Sequence, residues 1–106
     1  MIIYEVNHLG IKADIYEKYR IWLQKHVAEI LGLPGFLMAD TFDSRDMEGD
    51  SMSLDVCIHY YLRADADLDR YLLVDARRMR AEGEKLFPQG SRIYRRTLSP
   101  TTEIHE

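Results

Sequence analysis

Residues 2–8, IIYEVNH, are rich in β-branched and aromatic types and run out at Gly10, which predicts a strand. From Ala13 to Leu33 the period changes. At about 100° per residue, Ile15, Tyr19, Trp22, Leu23, His26, Ile30 and Leu33 share one stripe, so an amphipathic helix is expected. Asp14 is placed to cap it, with Glu17 three residues on, and Gly32–Gly35 (GLPG) should stop it. A strand resumes over 36–43, followed by a polar connection over 44–51. Residues 52–63 alternate strictly, with Met52, Leu54, Val56, Ile58, Tyr60 and Leu62 on one side. Ser53, Asp55, Cys57, His59, Tyr61 and Arg63 take the other. A second helix is expected over 65–86, with Leu68, Leu72, Met79 and Leu86 inward, ended by the PQG of 88–90. Residues 91–98 form a last strand, and the tail from residue 100 is expected to be loose.

The order β-α-β-β-α-β is that of a ferredoxin-like α+β domain, a four-stranded antiparallel sheet with both helices on one face. A single such domain accounts for residues 1–106. Its bare face would carry Cys57, His59 and Tyr61 from the third strand, and Ile3, Glu5 and Asn7 from the first if Tyr4 and Val6 point at the helices. That mixture is too apolar for a wet surface and too polar for a plain core. Two such faces closed on each other would form a semi-polar barrel interior, so a homodimer is expected.

The formal net charge of −4 argues against nucleic acid as a partner. No run approaches the roughly 20 apolar residues of a membrane span, and residues 1–10 lack the basic start of a signal peptide. With one cysteine, Cys57, no internal disulfide can form, which fits a cytoplasmic protein. Charge is nonetheless polarised. Residues 76–96 hold seven of the fourteen Lys and Arg, whereas residues 40–50 hold Asp40, Asp43, Asp46, Glu48 and Asp50 against Arg45 alone. In this fold the acidic second strand and the basic last strand occupy opposite edges. A two-fold could bring one subunit's basic edge to its partner's acidic one.

Signatures of metal, nucleophile and phosphate-loop chemistry are absent, and the four histidines have no ligand-like spacing; neither a metal nor a cofactor is expected. His26, between Trp22 and Ile30 on the helix stripe, is either a core-edge imidazole, with Asp75 as a candidate partner, or a general acid or base in a helix–sheet pocket. His59 is the second catalytic candidate, on the bare face beside Cys57 and Tyr61. Arg95 and Arg96 are adjacent in a strand and so point to opposite faces. An arginine turned into an enclosed space must pair with an acid such as Glu5 or await an anion. Arg77 lies half a turn off the inward stripe and should be solvated.

MIIYEVN at the start, WLQKH with LPGF through the first helix and its exit, and MRAEG, F and SR.YRR.L across residues 79–98 resemble the DUF4286 family. These are small bacterial proteins of unknown function, and the resemblance implies a dimeric α+β barrel without assigning any activity or catalytic set. The haem-degrading monooxygenases of the wider class use Asn, Trp and His, as Asn7, Trp22 and His26 would. There the Trp is on a strand and the His on the second helix; here both fall on the first helix, which sets haem chemistry aside.

The leading expectation is a homodimer binding a small, anionic organic molecule in the barrel or the helix–sheet cavity, lined by Glu5, Trp22, His26, His59, Tyr61 and Arg95. Two alternatives stay open. One is a non-enzymatic interaction or regulatory module. The other is a cofactor-free enzyme of oxygenase, isomerase or decarboxylase type, with His26 or His59 moving the proton.

Overall fold

The computed structural model describes residues 1–45, 47–48 and 54–105. Its elements are β1 (Ile2–Leu9), α1 (Tyr16–Ile30), β2 (Phe36–Ser44), β3 (Asp55–Leu62), α2 (Asp65–Val74), α3 (Ala76–Leu86) and β4 (Arg92–Leu98). The strands pair antiparallel in the order β2-β3-β1-β4, with the helices on one face: an α+β ferredoxin-like βαββαβ fold. β2 and β4 are the edges, as the charge argument requires. Met52 and Ser53, read from the sequence as the start of the third strand, lie outside the described residues, as do Asp46 and Asp50 of the acidic run.

Alternation decides the two faces. Ile2, Tyr4, Val6 and His8 of β1 and Val56, Ile58, Tyr60 and Leu62 of β3 are buried beneath the helices. Ile58 and Leu62 have no exposed surface, and α1 adds Tyr19, Leu23, Val27 and Ile30. Register places Ile3, Glu5 and Asn7 opposite Tyr61, His59 and Cys57 on the other face. Asp40 and Phe42 of β2 and Tyr94, Arg96 and Leu98 of β4 extend that open face to both edges.

Two helical expectations need correction. Asp14 does not cap α1: Ala13–Ile15 form a 3-10 turn, and no side chain caps the helix that starts at Tyr16. The second helix is not continuous either. Asp75 (φ −112°, ψ −27°) separates α2 from α3 and advances the inward stripe. Leu68, Tyr71, Ala76 and Met79 are buried, whereas Leu72 and Leu86 are about half exposed, not inward as the unbroken period suggested. Asp75 pairs with Arg70 (3.3 Å) and Arg78 (2.9 Å) on its own helices, so it is not the partner of His26. Arg77 is exposed, as expected. Gly35 links α1 to β2 at φ 86°, where a Cβ would sit 2.3 Å from the Asp67 side chain; only glycine fits both demands. No helix among the described residues is long and apolar enough to cross a membrane.

Candidate functional site

The sheet divides the predicted site residues between its faces, so they do not line one chamber. Glu5, His59 and Tyr61 stand on the open face; Trp22, His26 and Arg95 border a cavity between sheet and helices. Parity assigns the arginines: Arg96 pairs across from Glu5 on the open face, and Arg95 pairs across from Val6 on the helix face.

On the open face Glu5 is only 5% exposed because its neighbours close over it. Arg96 Nε donates to one carboxylate oxygen at 2.6 Å, Asn7 Nδ2 donates to the same oxygen at 2.9 Å, and His59 Nε2 lies 2.7 Å from the other. Burial alone would raise the Glu5 pKa, but these hydrogen bonds outweigh it and hold it at about 2. Tyr61 donates its hydroxyl to Asp40 at 3.0 Å, and Phe42 packs its edge on His59. The donor atoms of Glu5, Cys57 and His59 lie within 4.8 Å of one another, a spacing that could accept a metal ion. Yet the carboxylate is already engaged by three donors, and burial and the Glu5 charge push the Cys57 thiol up to about 11, away from the thiolate a metal needs. This cluster reads as an internally satisfied ion pair, the fate foreseen for an arginine turned toward Glu5.

The helix-face cavity differs. It measures about 210 Å³. Tyr4, Val6 and His8 of β1 form its floor, Trp22 and His26 of α1 one wall, and Tyr71, Arg80 and Phe87 the other. Ser91 and Arg95 lie on the β4 side. Trp22 and His26, one turn apart on α1, stack with ring centroids 4.6 Å apart. Gly83 of α3 makes room for the indole, since a Cβ there would approach it to 2.5 Å. Arg80 donates to the Tyr4 hydroxyl at 3.0 Å. The Arg95 guanidinium makes no hydrogen bond or ion pair with another described residue.

Burial dominates the titration of this site. It lowers the His26 pKa, with Arg80 and Arg95 acting in the same direction and Glu29 and Glu82 opposing. His8 is lowered further, to about 4, by burial and then by the nearby charges of His26 and Arg95. Burial, together with Tyr4 nearby, raises Tyr71 to about 12. The cavity is therefore largely aromatic, disfavours the charged form of its imidazoles, and carries the side chains of Arg80, Arg95 and Glu84. Arg95, solvent-exposed at the cavity rim and without an ion-pair partner among the described residues, suits a ring that carries an anionic oxygen.

His8, Tyr71, Arg80 and Ser91 were missing from the sequence-predicted lining. The signal for His8 lay in the same alternation that turned Tyr4 and Val6 inward; Arg80 and Tyr71 depended on the helix break.

The family model for DUF4286, a domain of unknown function, matches residues 1–101, and the chain belongs to that family. No curated protein matches it. Solved structures share its fold over nearly the whole chain. One is a dimeric ferredoxin-like protein of unknown function from Jannaschia sp. CCS1, 18% identical with a TM-score of 0.64 over 94% of this chain and 100% of that one. Another is a candidate antibiotic biosynthesis monooxygenase from Nitrosomonas europaea, 9% identical with a TM-score of 0.68 over 96% and 100%. A third is SnoaB, a cofactor-independent oxygenase from Streptomyces nogalater, 14% identical with a TM-score of 0.63 over 99% and 98%. At these identities the likeness is one of fold.

Proposed function

We propose that this DUF4286 chain is a cytoplasmic, homodimeric small-molecule-binding protein. Its ligand is a small aromatic acid or phenolate held in the helix–sheet cavity of each subunit. The carrying observation is Arg95, a guanidinium without a counter-ion among the described residues, at the rim of an aromatic cavity of about 210 Å³. A dry cavity of about 150 Å³ already accepts benzene, so this volume suits one ring with its substituents.

Trp22 is the only tryptophan and lines the cavity, so its fluorescence reports occupancy directly. Titration with benzoate, salicylate and 4-nitrophenolate is expected to change Trp22 emission saturably. Arg95→Met should weaken binding roughly 10- to 100-fold, the value of a charge-assisted hydrogen bond of about 1.5–3 kcal/mol. A flat titration with all three, or an Arg95→Met curve that overlays the wild type, would remove this reading.

Dimerisation rests on the open face, where Met38, Phe42 and Tyr94 are each about half exposed around the Glu5 cluster. Apolar groups at that density mark contact surfaces, and one relative of the same fold is described as dimeric. The basic β4 edge and the acidic β2 edge supply complementary charge for orienting the pair. Sedimentation at micromolar concentration should give twice the 12.5 kDa chain mass. A lone chain under those conditions rejects the dimer and leaves the cavity reading standing.

A further inference from the structure

We propose that His8 is the proton acceptor of this cavity, poised to take a proton from a bound carbon acid whose resulting oxyanion faces Arg95. The proposal deepens the binding reading above and rests on it. Of the four histidines, His105 lies in the tail beyond β4, paired with Glu103. His59 is on the opposite face, engaged by Glu5. His26 lies flat against Trp22, at the helical wall of the cavity. His8 alone rises from the floor, 6% exposed, and has one nitrogen committed and one free.

Nδ1 of His8 lies 2.6 Å from the Tyr19 hydroxyl, which lies 2.7 Å from Ser91 Oγ. This chain crosses from β1 through α1 to the start of β4 and fixes the ring's tilt, helped by the edge contact of the two rings at 72°. Nε2 makes no hydrogen bond with any described residue. No fully buried side-chain nitrogen or oxygen among the described residues lacks a partner. Nε2 therefore keeps accessible surface, and His8 lines the cavity. In the tautomer that leaves Nε2 its lone pair, Nδ1–H donates to Tyr19 and the Tyr19 hydroxyl donates to Ser91.

The charges then close. Arg95 pairs with Val6, two residues from His8 on the same face, so the two are diagonal neighbours across β1 and β4. As the Nε2 lone pair takes the proton from a carbon next to a carbonyl, the C–H electrons form the C=C bond. The carbonyl π pair moves onto oxygen, giving an enolate and an imidazolium. Arg95 stabilises the enolate, and Tyr19, accepting from Nδ1–H, stabilises the imidazolium. Burial keeps His8 neutral at rest, which is the state a base requires. Return of a proton to the same carbon completes an exchange or epimerisation that needs no cofactor or oxidant. The implied substrate class is an aromatic ketone or related carbon acid of single-ring size.

The probe is 2-indanone, an aryl-fused ketone, incubated with the whole protein in D2O and followed by proton NMR, with Trp22 fluorescence measuring its binding in parallel. Wild type should bind it and speed deuterium incorporation. His8→Gln should keep the binding and lose the acceleration by about 100-fold or more, the range for a positioned base. Tyr19→Phe, which removes only the hydroxyl, should keep the binding and slow exchange about tenfold; it serves if His8→Gln does not fold. Binding without accelerated exchange in wild type overturns the proposal and leaves the binding reading intact. Exchange that persists in folded His8→Gln, or is unchanged in Tyr19→Phe, overturns it too. Absence of 2-indanone binding overturns this proposal, while the binding reading stands or falls on the benzoate, salicylate and 4-nitrophenolate titrations.

Discussion

Gly83 occupies a position at which one added methyl group tests the cavity. Its Cβ would lie 2.5 Å from the Trp22 ring, so Gly83→Ala must displace the indole that lines the site. Alanine favours a helix over glycine by about 1 kcal/mol, while forced overpacking costs about 1–3 kcal/mol. Stability should thus fall by no more than about 2 kcal/mol, whereas binding of aromatic acids should be lost; unchanged affinity would show that Trp22 does not bound the site. At this same scale the sequence was only half readable. Adjacency told that Arg95 and Arg96 part company, but which one meets Glu5 depended on register, and register came from the pairing of β4 with β1. His8 was legible in principle: strict alternation from Tyr4 puts it inward, beside the helices.

Strands were easier to read than helices because a strand's face is set by parity alone. One residue of slip inverts it, and the core would not tolerate the inversion. The alternation across Val56–Leu62 therefore announced both β3 and its buried side. A helix period accumulates small errors, and a single irregular residue re-aims everything after it. Asp75 does this here: the i→i−4 bonds run through it, from its own N–H to Tyr71 and from Met79 to its carbonyl, yet its φ of −112° turns the stripe. Tyr71 then packs against Tyr4 and Phe36 while Leu72 is left half exposed. Nothing in the leucine spacing signals this. The clue was chemical, a carboxylate flanked by Arg70 and Arg78, both close enough to hold it at the helix junction.

For the molecule as a whole, both faces of the sheet share one vulnerability, acid. Beneath the helices His8 titrates near 6.5 when unfolded but at about 4 in the fold. Between those values the unfolded chain holds more protons, so stability is complete above pH 6.5 and falls as pH drops toward 4. The shift corresponds to a loss on the order of 3 kcal/mol. His26, lowered by burial, acts in the same direction. On the open face Glu5 titrates near 4.5 unfolded and about 2 folded, so the stability from its hydrogen bonds is present above 4.5 and disappears as pH falls toward 2. Urea melts at a fixed protein concentration should therefore lose midpoint in two overlapping stages, the first beginning near pH 6.5. His8→Gln should shrink the first stage to the part that His26 contributes and spare the second, and Glu5→Gln should remove the second and spare the first. A wild-type midpoint that does not move between pH 7.5 and 5 would mean that the imidazole floor of the cavity is already solvated. A dry aromatic site over that floor could then not be sustained.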